Sequence, residues 1–71
     1  MTEQKWGLDM KFIEFEEHDG DKVYINPDYV RMVYADKFHE GCCVISMRGA
    51  YVSVKGEPVA VCNKLVRGYS V

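Results

Sequence analysis

The chain lacks any apolar run approaching the ~20 residues that a membrane-crossing helix needs, and it has no linker, internal repeat or low-complexity stretch. That leaves one small domain in 71 residues. A domain of this size buries only about 60% of the surface its unfolded chain exposes. Its core is thin, so self-association as a homodimer fits its size. Disulfide patterning is also missing: there are three cysteines, an odd number, and no Cys-x-x-Cys pair. This suits a reducing compartment better than a cross-linked scaffold. The N-terminus "MTEQKWGLDM" has none of the basic start, apolar centre and small-residue cleavage site of a secretion signal. These absences predict a cytoplasmic protein with no membrane association. Charge of one sign is lacking too. The net charge is −2, and the nine basic residues are scattered from Lys5 to Arg67. A strong nucleic-acid binder clusters its Lys and Arg to neutralise several phosphates, so nucleic acid is disfavoured as a partner.

What is present is a folded-protein composition, 48% hydrophobic and 28% charged. Residues 1–10 show no periodicity and read as a loosely ordered N-terminal arm. In it Trp6 either plugs one end of the core or anchors a partner, with Leu8 also available for pinning. Residues 11–71 read as a single β domain. "KFIEFEE" (11–17) alternates, with Ile13 and Phe15 inward and Phe12 on the wetter face. "HDGD" (18–21) is a hairpin signal, since Gly accepts positive φ, and "KVYIN" (22–26) returns with Val23 and Ile25 inward. "NPDYV" (26–30) is a turn: Pro27 cannot donate to a ladder, and Asn26 and Asp28 bond nearby backbone. "VRMVYAD" (30–36) carries apolar residues on both faces, so it is central or sharply bent. "KFHEG" is a polar loop. "CCVISM" and "AYVSVK" flank a tight "RG" connection that sets Met47 opposite Ala50, Ile45 opposite Val52 and Cys43 opposite Val54.

The period then changes. Glu57 and Pro58 suit a helix start, Arg67 suits its end, and Gly68 is the expected stop, giving a helix over 57–67. Pro58, Val61, Cys62, Leu65 and Val66 make its apolar stripe. The fold class this predicts is mainly β with one helix (α+β): a five-stranded antiparallel curled sheet or partial barrel, with a C-terminal helix packed over one face. The core is expected to hold Ile13, Phe15, Val23, Ile25, Val30, Val33, Cys43, Ile45, Met47, Val52, Val54, Val61 and Leu65. Keeping both Val30 and Val33 inward requires a bend near 27–30.

"HEGCCVISM" (39–47) invites a metal or redox reading, with His18 as a further ligand and Cys62 as a third thiol. Adjacent strand residues point to opposite faces, so Cys42 and Cys43 do not converge, and no metal or cofactor is predicted. Cys43 and Cys62 read as small buried hydrophobes and Cys42 as the exposed thiol. A Cys–His nucleophile needs an orienting group and an oxyanion hole that the sequence does not display, so the chain is expected not to be an enzyme and no catalytic residue is assigned. The acidic run "EFEEHDGD" does not match calcium-loop spacing. It reads as a solvated strand face or as an acidic contact surface through Glu16 and Asp19. Tyr24, Tyr34, Phe38 and Tyr51 are outward aromatics suited to a partner surface, or to stacking bases as oligonucleotide-binding barrels do.

The order of elements resembles the FlbD-like (SwrD-like) flagellar-operon proteins of bacteria over about residues 12–66. Ile13 and Phe15 match the family's first strand, Gly20 its glycine and Asn26 its asparagine, while Tyr29, Val30 and Val33 match its next apolar run. Gly49, Val54, Lys55, Val61, Cys62 and Leu65 match the closing turn, strand and helix. The family's "T-P-D-T" loop is replaced here by "DKFHEGC". The resemblance implies an antiparallel sheet with one helix and supplies no catalytic residue.

The functional expectation is a small non-catalytic protein-interaction module with an unidentified protein partner and no small-molecule substrate. Its settings are a phage or mobile-element protein acting on a host protein, or a motility accessory. The alternative is a single-stranded nucleic-acid-binding protein using the same tyrosines.

Overall fold

The computed structural model describes residues 12–70, with side chains as far as Arg67. The expected arm at 1–10, with Trp6 and Leu8, lies outside the described residues. The elements run β1 (Ile13–Glu16), β2 (Lys22–Ile25), a 3-10 turn (Pro27–Tyr29), β3 (Val30–Ala35), β4 (Cys42–Met47), β5 (Ala50–Lys55) and α1 (Pro58–Ser70). No helix among the described residues is long and apolar enough to cross a membrane.

The strands form two antiparallel sheets rather than the single five-stranded sheet expected: β1–β2, and β3–β4–β5. The break falls at Asn26–Tyr29. Pro27 has no amide hydrogen to donate, the Asn26 side chain accepts from the Asp28 amide at 2.9 Å, and the resulting turn leads β3 away from β2. The sheets touch at the far end of the β1–β2 hairpin. There Glu17 forms an isolated antiparallel bridge with Val54, and the His18 amide donates to the Ser53 carbonyl at 3.1 Å.

Local chemistry accounts for the β1–β2 and β4–β5 hairpins. In the first, the Glu17 amide donates to the Asp21 carbonyl at 2.7 Å, and Gly20 takes a φ of +100° that L side chains rarely adopt. In the second, Arg48–Gly49 sets Met47 opposite Ala50 and Cys43 opposite Val54, the register the sequence predicts. The bend needed by Val30 and Val33 is a bulge: Val30 pairs with Met47 and Met32 with Ser46, so Arg31 is the extra residue. Val30 and Val33 consequently both pack on the core.

That core holds Phe15, Ile25, Cys43, Ile45, Val54, Val61 and Leu65, with Ile13, Val23, Val30, Val33, Met47 and Val52 packed against it. It is the set expected from strand alternation and, for Val61 and Leu65, from helical spacing. Full burial of one such aliphatic side chain stabilises by about 1.5–3 kcal/mol. The helix docks on both sheets. Val61 and Leu65 enter the core, and the Lys64 ammonium lies 4.6 Å from the centre of the Phe15 ring while donating to the Glu14 carbonyl.

The helix departs from expectation in two ways. It passes through Gly68 to Ser70, because a helical glycine costs only about 1 kcal/mol relative to alanine and does not force a stop. Its buried stripe is also narrower. Val61 and Leu65 are buried, but Cys62 and Val66 are exposed, since each lies about 100° around the helix from its buried neighbour. The cysteine expectations change accordingly. Cys62 is the exposed thiol and Cys42 is half-buried, while burial pushes the Cys43 thiol up to about 11, which keeps it protonated and unreactive near neutrality.

Candidate functional site: an aromatic cleft between the sheets

One face of β3–β4–β5 carries the core. The opposite face carries Met32, Tyr34, Val44, Ser46, Tyr51 and Ser53, by the alternation of the same strands. A cleft of about 610 Å³ opens on this outer face beside the 36–42 loop and the tip of the first hairpin. Val44, buried although it stands outside the core cluster, forms its floor. Tyr34, Tyr51 and Phe38 line it with relative exposures of 47%, 77% and 89%, so their rings face solvent rather than packing inward.

One end of the cleft is built around Asp36. Its carboxylate accepts from the Ser53 hydroxyl at 2.5 Å, the Phe38 amide at 2.8 Å and His39 Nδ1 at 2.8 Å. An ionised carboxylate is acceptor-only, so the hydrogen bond to it places a proton on Nδ1 of His39. The Ser53 hydroxyl and the Phe38 amide, aided by His39, hold the Asp36 carboxyl well below its ordinary value of 3.8. His18, at the hairpin tip, stacks on His39 with ring centroids 3.9 Å apart and planes 27° from parallel. The two sheets are thus joined by main chain at Glu17 and His18 and by side chains at the histidine pair.

This geometry narrows the chemistry. The Ser53 hydroxyl donates its hydrogen bond to Asp36 rather than to an imidazole, so serine, aspartate and histidine are not ordered as nucleophile, orienter and base. Cys43 is buried on the other face. No group of three or more His, Cys, Asp or Glu side chains is placed to hold a metal ion among the described residues.

The expected partner residues divide. Tyr34, Phe38 and Tyr51 come together in the cleft. Tyr24 and Glu16 do not: they lie on the two-stranded sheet, where Tyr24 faces Glu14 across the pair, so the expected shared outer face of Tyr24, Tyr34 and Tyr51 is not formed. Glu16 is paired with Lys55 at 3.1 Å, and Glu14 with Lys22 at 3.1 Å, where the carboxylate raises the Lys22 pKa above its ordinary value. Asp19, at the hairpin tip, accepts from the Asp21 amide at 3.1 Å. Much of the acidic run therefore serves the protein's own structure.

Sequence reasoning missed Asp36, Ser53, His18 and His39 as one cluster. Part of the signal was local, because Asp36 and His39 are three apart and Asp36 bonds the Phe38 amide two residues on. A second, shallower groove of about 410 Å³ runs between α1 and β3, lined by Pro27, Val30, Met32, Val33, Cys62 and Leu65 among others. No protein-family model, curated protein or solved structure matches the chain.

Proposed function

We propose that the chain is a non-catalytic protein-interaction module whose contact surface is the outer face of β3–β4–β5. The observation that carries this reading is the set of solvent-facing rings of Tyr34, Phe38 and Tyr51 around a buried Val44 floor. Aromatic side chains exposed around a concavity are what interface centres are built from. The charge of the cleft favours protein over nucleic acid. Glu17 and Asp36 line it with a single lysine, Lys37, and stacking of bases ordinarily accompanies a basic groove. The flagellar resemblance suggests a motility accessory as the setting, with a phage or mobile-element protein acting on a host as the other; the neighbouring genes discriminate between them.

The test compares the intact chain with a Tyr51→Ala, Phe38→Ala double variant, both immobilised and challenged with a nuclease-treated bacterial lysate. A discrete protein held by the first and lost by the second supports the reading; equal retention by both sinks it. A gel shift with short single-stranded DNA at low salt, abolished by Tyr51→Ala, would install nucleic-acid binding in its place. A second copy of the chain is also an admissible partner. The mass in solution at high concentration decides that point, and a strict monomer excludes it.

A further inference from the structure

The charges and rings of the cleft say what kind of side chain it accepts. Glu17 stands at one wall, and unlike Glu14 and Glu16 it has no lysine at ion-pair distance among the described residues. Asp36 adds a second negative charge at the base, with its oxygens already engaged by three donors. Lys37 is the one lysine of the lining, which holds no arginine, so the carboxylates of Glu17 and Asp36 outnumber it two to one. The exposed side chains of Tyr34, Tyr51 and Phe38 line the same cleft as these carboxylates. Aromatic faces attract cations through their quadrupole, and a planar guanidinium both stacks on a ring and pairs with a carboxylate through two parallel donors. Negative charge at the wall and base, with exposed rings in the same cleft, is complementary to such a group. An acidic side chain would meet two carboxylates, and a purely apolar one would strand Glu17 against a dry surface.

We propose that the cleft is a receptor for an arginine side chain presented by a protein partner, with Tyr34 and Tyr51 stacking the guanidinium and Glu17 pairing with it. The inference rests on the interaction reading and names the partner's contacting chemistry. The acidic face of β1 is not a competitor of equal strength, since Glu14 and Glu16 already hold Lys22 and Lys55.

The experiment is a two-dimensional amide NMR titration of the full chain with three blocked hexapeptides. They are alike except for a central arginine pair, lysine pair or glutamate pair. The arginine peptide is expected to give saturable shifts confined to Tyr34, Tyr51, Glu17, His18 and their neighbours. It should bind at least threefold tighter than the lysine peptide, and the glutamate peptide should give no shifts. Tyr51→Ala, at an exposed position, and Glu17→Gln, an isosteric change at a half-buried one, should each weaken the arginine peptide at least fivefold while leaving the dispersion of the remaining spectrum intact. Equal affinity for lysine and arginine reduces the effect to bulk charge and overturns the proposal. So do shifts centred on Glu14, Glu16 and Tyr24, or variants that bind as the parent does. Failure here together with a captured partner that is lost on mutating Tyr51 and Phe38 would refute the arginine receptor and leave the interaction module standing.

Discussion

The two faces of β3–β4–β5 are made by the same three strands, residue by alternate residue, yet they are built on different terms. On the inner face Cys43, Ile45 and Val54 are fully buried with no polar group among them. On the outer face Val44 is buried alone, ringed by exposed tyrosines and a carboxylate that gathers three hydrogen bonds. The inner face is explained by folding: each methylene removed from water contributes about 0.8 kcal/mol. The outer face is not, because its rings remain in solvent and gain little from where they stand. A two-faced sheet in so small a domain thus separates the residues that hold the fold from those available to a partner.

The comparison breaks most readily at Ile45. Ile45→Ala leaves a cavity between β3, β5 and α1 and should cost about 2–5 kcal/mol in urea-monitored unfolding. Measured alongside it, a similar loss from any outer-face aromatic would erase the distinction between the faces. Cys43 and Cys42 test the same boundary one residue apart. Cys43→Ser buries a hydroxyl among aliphatic side chains and should cost about 1–3 kcal/mol. Cys42→Ser, at a half-buried position opposite Lys55, should change stability by less than about 0.5 kcal/mol. The reverse order of the two would mean that β4 is displaced by one residue against its neighbours.

How much of this was legible beforehand depends on the range of the interaction. The β4–β5 register was readable because a two-residue turn leaves only one pairing for the alternating Cys43, Ile45 and Met47. The bulge was readable as a contradiction, since Val30 and Val33 cannot share a face in a regular strand. The separation into two sheets was not, because period-2 alternation identifies strands without saying which are hydrogen-bonded. Pro27 hinted at a turn but not at a change of sheet. Cys62 and Val66 sat at the borders of the helical stripe, where a rotation of about 100° per residue turns burial into exposure. The His18–His39 stack joins positions from two different hairpins. It exists only because the bridge between Glu17 and Val54 carries one hairpin tip onto β5.

The polar end of the outer face gives a smaller, pH-dependent effect. The folded pKa of Asp36 lies below the value of 3.8 for an ordinary aspartate. The stabilisation it provides is therefore complete above that value and is lost as the pH falls below it. Asp36→Asn should destabilise at pH 7, and the gap between variant and parent should narrow as unfolding is followed into acid below 3.8. A gap that stays constant with pH would mean the carboxylate's charge is not what Ser53, Phe38 and His39 respond to, and that shape alone supports the loop.

The smallest expected effect sharpens the comparison furthest. Tyr51 is 77% exposed on β5, opposite Ser46. Tyr51→Ala removes little buried area and should shift stability by no more than about 0.5 kcal/mol, a part of it from the lower strand propensity of alanine. Thermal unfolding read beside the peptide titration separates the two roles an aromatic can play. A stability loss above about 1.5 kcal/mol would place Tyr51 with the core residues, its exposure notwithstanding. An unchanged midpoint with lost binding would show that the ring is kept in water for what it meets there.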